Sequence, residues 1–369
     1  MTGNGKKVVV GLSGGVDSSV VAMLLKKQGY EVIGLHMKSS NEEEQQNDLT
    51  SVEELCKKLN IKYKVVDYFD KMKIVKDYFI KEYSNGRTPN PCVICNQAVK
   101  FKPFIDYAKK IGADFFATGH YANIEHKDGL HILKKALDES KDQSYFLNQL
   151  SQSQLEKALF VLGNLTKKDV RELAIANGLV SANKKDSYDI CFLGTQKFKD
   201  YIEANYPKKE GDIINIDNGK VVGKHSGIMK YTIGQRKGLG IGGGFGETGD
   251  GWFVIKKDIK ANTVYVSQGD GDALYSDALV SKKFNWIPNK PEIKEFECKA
   301  KFRYRQQDQK VRVKIQENEN VLIEFDEKQR AVTVGQYVVL YKDGEDGDFD
   351  VCLGGGQIDQ VLKNGEILN

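Results

Sequence analysis

No run of apolar residues in this chain approaches the roughly 20 that a membrane-spanning helix needs. The opening Met-Thr-Gly-Asn-Gly-Lys-Lys holds no apolar core of a secretory signal. Both absences lead to the expectation of a cytoplasmic protein with no membrane partner. Cysteine is scarce, with six residues at Cys56, Cys92, Cys95, Cys191, Cys298 and Cys352. That density excludes the disulfide framework of a small secreted domain and suits catalytic, redox or metal-binding thiols. A strong excess of one charge is also missing, since 55 basic residues face 51 acidic ones for a net +4. The total therefore identifies no nucleic-acid partner, and only the distribution of charge can. What is present is a 40% hydrophobic chain of 369 residues, long enough for two or three domains with real cores.

The first chemistry-bearing stretch is Lys7–Ser19. Val8, Val9 and Val10 read as a buried strand. Gly11, Leu12, Ser13, Gly14, Gly15, Val16, Asp17 and Ser18 follow as a glycine loop. An apolar helix then starts at Ser18–Ser19 and runs to Lys27. A strand, a glycine loop and a helix N-terminus make an anion site, because the first helical N–H groups have no internal partner and the helix dipole favours negative charge. The loop has neither the spacing that carries a phosphate-binding Lys nor Gly-x-Gly-x-x-Gly. Ser13-Gly14-Gly15-Val16-Asp17-Ser18 instead resembles the pyrophosphate loop of the ATP pyrophosphatases. That resemblance implies ATP cleaved between its α and β phosphates. Asp17 is a candidate for a metal or for ordering the loop.

Strands and helices alternate through residues 6–118. Strands are expected at 31–37, 63–66 and 114–118, with helices at 52–59, 70–83 and 100–111. Such alternation predicts a parallel sheet covered by helices on both faces, with ligands at the carboxyl ends of its strands. Gly11–Ser18, Met37 and Gly119-His120 all fall at such ends. The polar run 41–48 reads as a solvated loop. A helix from Thr166 to Gly178 carries its own cap and stop.

Residues 84–99 carry Pro89, Pro91 and the pair Cys92-x-x-Cys95. The prolines exclude regular helix at 89–91, and Asn96 is placed to cap the helix that follows. A thiol near a helix N-terminus has a lowered pKa. The pair alone is open among a redox couple, half a zinc site and a catalytic thiol. Cys191, between Ile190 and Phe192, is open between core and reactive thiol. From Tyr206 the glycine density rises and short strands replace helices. Tyr231–Gly240 reads as a basic glycine loop. Near 298–315, Lys299, Lys301, Arg303 and Arg305 alternate with apolar residues, as do Lys310, Arg312 and Lys314. In two strands joined at 306–309 this puts the bases on one face, an arrangement that suits a phosphate backbone.

Together Gly11–Ser19, Gly86–Asn96, Ala117–Tyr121, Lys141–Phe146, Asp186–Phe192, Tyr231–Gly240 and Phe302–Gln306 resemble the tRNA-specific 2-thiouridylase family over nearly the whole chain. The resemblance implies an α/β, parallel-sheet pyrophosphatase domain at 1–205, a small β-rich domain at 206–277 and a tRNA-contacting β-barrel at 278–369. It implies ATP-dependent replacement of the C2 oxygen of the wobble uridine by sulfur, with Mg²⁺ beside the phosphates. Gly11–Ser18, Met37 and Gly119 would bind ATP. Cys95 would be the nucleophile and Cys191 the persulfide carrier, a pair that ends each cycle as a disulfide. Asn90, Pro91 and Cys92 would meet the target base, while His120, Lys141, Asp142, Gln143, Arg303, Tyr304 and Gln336 would contact tRNA. A persulfide-relay protein or desulfurase would deliver the sulfur. The family also allows Asp where this chain has Cys92. Cys92, Cys95 and Cys191 as ligands of a [4Fe–4S] cluster are the alternative within the same reaction. An enzyme that adenylates a small amide or guanidine acceptor is the alternative of another class, and a tRNA-binding module with an inert ATP loop is a third.

Overall fold

The structure is a computed structural model that describes residues 3–38, 43–184, 193, 198–206, 208–242 and 249–368. Strands β1 (Lys7–Gly11), β2 (Glu31–Lys38), β3 (Lys62–Asp67) and β4 (Phe115–Ala117) lie in one sheet. With a short fifth strand at Ala158–Leu159, the order is β3-β2-β1-β4 and then that strand, every pairing parallel. This is the expected parallel architecture. The β-branched run Val8–Val10 is fully buried because helices cover both faces.

Helix α1 (Val16–Lys27) begins two residues before the expected start, with Gly15 extended at its N-cap. Val20, Val21 and Leu25 are fully buried on it. Each contributes on the order of 1.5–3 kcal/mol. Helix α2 (Glu43–Leu59) overturns the loop expected at 41–48, of which residues 43–48 form its first turns. The Glu and Gln of that run are good helix formers, and polarity alone did not distinguish a solvated helix face from a loop. Helix α3 (Phe69–Ser84) leads to the thiol segment. There α4 (Pro91–Ile94), a π-helical stretch at Cys95–Phe101 and α5 (Lys102–Lys110) form one continuous run. Pro91 stands at the first helical position rather than outside the helix, since its missing N–H is needed by no helical bond there.

The middle of the chain forms a separate four-stranded sheet within residues 211–268. Beyond it, six strands from Tyr275 to Lys363 close into a barrel, because the first, Tyr275–Trp286, pairs both with Val321–Arg330 and with the last, Val351–Lys363. A hairpin that follows the parallel sheet's β4, Asn123–Lys127 with Leu130–Lys134, extends this sheet. Lys134 pairs with Val351. The apolar cores also merge. Val9, Phe101, Phe116 and Tyr145 pack in one cluster with Tyr337, Val339 and Tyr341 of the barrel. Among the described residues no helix is long and apolar enough to cross a membrane.

Candidate active site

The loop after β1 is tied by its own serines. Ser18 Oγ lies 3.2 Å from both Ser13 N and Ser13 Oγ and donates to Gly15 O at 3.2 Å. Ser19 Oγ donates to the same carbonyl at 2.8 Å. Gly14 takes φ +79°, and a Cβ there would sit 2.7 Å from the Asp48 carbonyl oxygen. Both facts require glycine. Gly119 packs against the helix start, where a Cβ would lie 3.2 Å from Ser18 N. Leu12 is 2% exposed, and its carbonyl receives His36 Nδ1 at 2.8 Å.

Asp17 sits in the first turn of α1. Its Oδ1 accepts from Lys167 Nζ at 2.6 Å and from the Tyr121 hydroxyl at 2.9 Å. These partners tie one oxygen of Asp17 to the residues around the loop. Lys167 is the first residue of the helix Lys167–Ala176, placed by the Thr166 cap. The chain's local loop lacks a lysine, and this one comes from 150 positions away, which no local spacing discloses.

Cys92 is partly exposed, and Cys95 is 4% exposed. Cys95 packs with Tyr68, Met72, Val75 and Val99, and Met37 joins the same cluster. The thiol helix and the end of β2 therefore meet at the strand rim beside the phosphate loop. Asn96 is no cap. It lies inside the π-helical stretch and donates from Nδ2 to Phe146 O at 3.1 Å. Cys191 and the rest of 185–192 lie outside the described residues. No three His, Cys, Asp or Glu side chains among the described residues are placed to share a metal.

The barrel holds the thiol segment from the other side. Gln336 Nε2 donates to Thr88 O at 2.9 Å and Pro89 O at 3.3 Å, and Thr88 N donates to Val334 O at 2.9 Å. Arg87 pairs with Glu82 at 2.8 Å and with Asp359 at 3.3 Å, and donates to Ile358 O at 2.9 Å. The Tyr145 hydroxyl donates to Tyr337 O at 2.8 Å. Burial raises its pKa, so it stays a donor. Asn90 and Pro91 are buried behind these contacts. Arg87, Phe146 and Lys167 were not singled out by the sequence, because their partners are remote in the chain.

His120 is 9% exposed and shares a 2.7 Å hydrogen bond with Thr118 Oγ1. Burial, helped by the Lys100 charge, lowers its pKa to about 3, so it is a neutral imidazole at ordinary pH. Asp142 is 3% exposed. Its oxygens accept from Ala136 N at 2.9 Å and from the Ser144 hydroxyl at 2.7 Å. Gln143 Oε1 accepts from Tyr121 N at 3.1 Å. These two side chains shape the turn that also carries Lys141. The Tyr304 ring lies 4.3 Å from that of Phe146. Arg303 donates to Thr333 Oγ1 at 3.0 Å and to the Ala331 carbonyl.

The uniformly basic ribbon is not what the strands form. Glu297 pairs opposite Arg312 at 3.1 Å, and Glu295 opposite Lys314 at 3.8 Å. Lys299 meets Asp343 and Asp350, and Lys301 meets Asp308 at 3.8 Å. Alternation assigned the faces correctly but said nothing of the acids brought onto them by pairing. The first strand also ends at Lys301 and the second starts at Gln309, which leaves Arg303 and Tyr304 on the connecting turn.

Three family models match in succession: a tRNA methyl transferase HUP domain over residues 6–195, a tRNA methyl transferase PRC-barrel domain over 199–268 and an aminomethyltransferase beta-barrel domain over 276–358. The tRNA-specific 2-thiouridylase MnmA of Alkaliphilus oremlandii is 49% identical over 368 residues, covering 97% of this chain and 98% of that one. The chain belongs to the tRNA-specific 2-thiouridylase family. The thiouridylases of that name from Bacillus cytotoxicus and Staphylococcus aureus strain JH9 are 47% and 48% identical, each covering 98% of this chain and 97% and 98% of their own. Among solved structures, the U34-tRNA thiolase NcsA of Methanococcus maripaludis with its [4Fe-4S] cluster aligns at TM-score 0.35 and 22% identity, over 56% of this chain and 68% of that one. That likeness is too slight to bear on the cluster question. As a thiouridylase, the chain joins an ATP-using loop to a tRNA-modifying site.

Proposed function

We propose that this protein transfers sulfur to C2 of the wobble uridine of tRNA, at the expense of ATP, through a persulfide rather than a cluster. The observation that carries the reading is the packing of Cys95 with Met37 at the end of β2, the strand beside the one that leads into the pyrophosphate loop, in a chain nearly half identical to thiouridylases over 97% of its length.

The C2=O of uracil is a poor electrophile with a poor leaving oxygen. Attack of that oxygen on the α phosphorus of ATP releases pyrophosphate and leaves AMP as the leaving group. The N–H groups opening α1 and the loop from Gly11 to Ser18 would hold the phosphates, with Lys167 keeping the Asp17 charge from repelling them. Mg²⁺ accompanying ATP would offset phosphate charge. Met37 and Gly119 would border the adenosine. Asn90, Pro91 and Cys92 would meet the base. Lys141, Arg303 and Tyr304 would contact tRNA, and neutral His120 would do so as a hydrogen-bonding group. Asp142, Gln143 and Gln336 would act by holding those neighbours.

Cys191 would arrive carrying a persulfide from a relay protein or desulfurase. The Cys95 thiolate attacks Cys191 Sγ and expels hydrosulfide, which adds to C2 and displaces AMP. Alternatively the terminal persulfide sulfur attacks C2 directly and displaces AMP, and Cys95 then attacks Cys191 Sγ and releases the thiolated base. Both routes oxidise two thiols to a Cys95–Cys191 disulfide, which an external thiol reductant reopens. The uridine must leave its stack to reach this place.

The test is single-turnover thiolation of an unmodified tRNA with ATP, Mg²⁺ and a desulfurase charged with cysteine as the persulfide donor, in wild type and in Cys92→Ser, Cys95→Ser and Cys191→Ser, prepared with and without oxygen. Loss confined to Cys95→Ser and Cys191→Ser, indifferent to oxygen, is expected. Loss in all three variants together with inactivation by oxygen would replace the persulfide by a cluster. Release of AMP with no sulfur in the tRNA would return the small-molecule adenylating enzyme.

A further inference from the structure

Asn96 follows Cys92 by four residues in one continuous helical run and so lies on its face, while Cys95 lies one residue before Asn96. From Cys95 the run widens into a π-helical stretch, a distortion that recurs at functional sites. Asn96 is 2% exposed. Its Nδ2 donates to the Phe146 carbonyl, which can only accept, so the orientation of the amide is settled. Phe146 is itself pinned by the Tyr304 ring. The other end of the amide, Oδ1, is buried and has no hydrogen-bond partner. Buried acceptors are nearly always paired, and one left open a helical turn from Cys92 marks a place where a ligand donor completes the set.

We propose that Asn96 Oδ1 accepts the N3–H of the target uracil and thereby selects uridine. The inference rests on the thiouridylase reading. In uracil, N3 adjoins C2, the carbon that exchanges oxygen for sulfur. A base that presents C2 to the thiol helix brings N3–H to the same helix face. Cytosine carries a lone pair at N3, so two acceptors would oppose each other. The amide cannot turn to donate instead, because its NH₂ is held by Phe146. One atom thus both accepts uridine and rejects cytidine.

The experiment crosses the side chain with the ring proton. Sulfur incorporation is measured as kcat/KM for tRNAs bearing uridine or N3-methyluridine at the wobble position, with wild type, the near-isosteric Asn96→Leu and Asn96→Ser. Affinity for ATP reports an intact nucleotide site. Methylation is expected to cost wild type about 100-fold, and Asn96→Leu about tenfold less than that, because only the steric part remains. The same penalty in wild type and variant, or none in wild type, would overturn the assignment of Asn96 and leave the thiouridylase reading standing. Should Asn96→Leu fail to fold, Asn96→Ser decides by the same comparison. Absence of sulfur from the uridine tRNA with wild type would overturn the thiouridylase reading itself, and this inference with it.

Discussion

Lowering the pH should load a proton onto His120 only by unfolding the wall of the site. The imidazole packs between Phe101 and Phe160, with ring centroids 5.8 and 6.1 Å away. Burial and the nearby Lys100 charge bring its pKa from 6.5 to about 3. For a histidine held neutral in the fold, the unfolded chain binds the proton more readily. The contribution is therefore complete above the unfolded pKa and declines as pH falls from about 6.5 toward 3. Between pH 7 and 4.5, the linkage amounts to about 2.5 kcal/mol for this one group. His120→Gln removes that linkage, whatever it costs in packing. Urea unfolding followed by circular dichroism at a series of pH values should show a steeper loss of stability in wild type than in His120→Gln across that window. A carbon-labelled imidazole followed by NMR should stay neutral at pH 5. Titration of His120 near 6.5, or equal slopes in the two proteins, would refute the reasoning, and His120 could then meet tRNA as a cation.

Other perturbations read the loop and the seam. Lys167→Met leaves the Asp17 carboxylate without its cation at the phosphate loop. Charged hydrogen bonds of this kind contribute about 1.5–3 kcal/mol, and with Asp17 32% exposed the lower end applies, so ATP affinity should fall about tenfold by calorimetry. Adding Asp17→Asn should restore most of it, and unchanged affinity in the single variant would sink the idea. Gly14→Ala forces a side chain into φ +79° and against Asp48, and should abolish ATP binding measurably before it lowers the melting temperature by much. Gln336→Ala should speed hydrogen exchange at 87–95 while ATP affinity holds, and unaltered exchange would mean that the barrel does not steady the thiol segment.

The parallel sheet and the phosphate loop were legible because both are local. A β-branched strand, a glycine turn and an apolar helix declare themselves within twenty residues, and the strand-end rule then gathers Met37 and Gly119 to the same rim. The thiol helix was half legible. Its proline and cysteines were visible, yet Pro91 could be read as a breaker or as a first helical residue, and only packing chose. Asn96 shows the same limit, since a residue suited to capping became an interior anchor once Phe146 came within reach. Lys167 and Arg87 were silent because their partners are distant in sequence. The ribbon at 295–315 failed for a further reason. Period-two alternation reports a face, but the charge of that face depends on which residues the neighbouring strands bring beside it.

The hairpin at 123–134 has a consequence for how this molecule could be recombined. Its second strand is stitched to the last long barrel strand, and Lys134 and Lys135 reach across to Asp348 and Asp350. The seam is thus written in two distant places in the chain. A chimera that imports a foreign barrel by cutting once after the central sheet would inherit one half of that stitching and lose its match. Exchange of barrels between relatives should succeed only when the hairpin travels with the barrel, so the covalent boundary and the inheritable unit do not coincide.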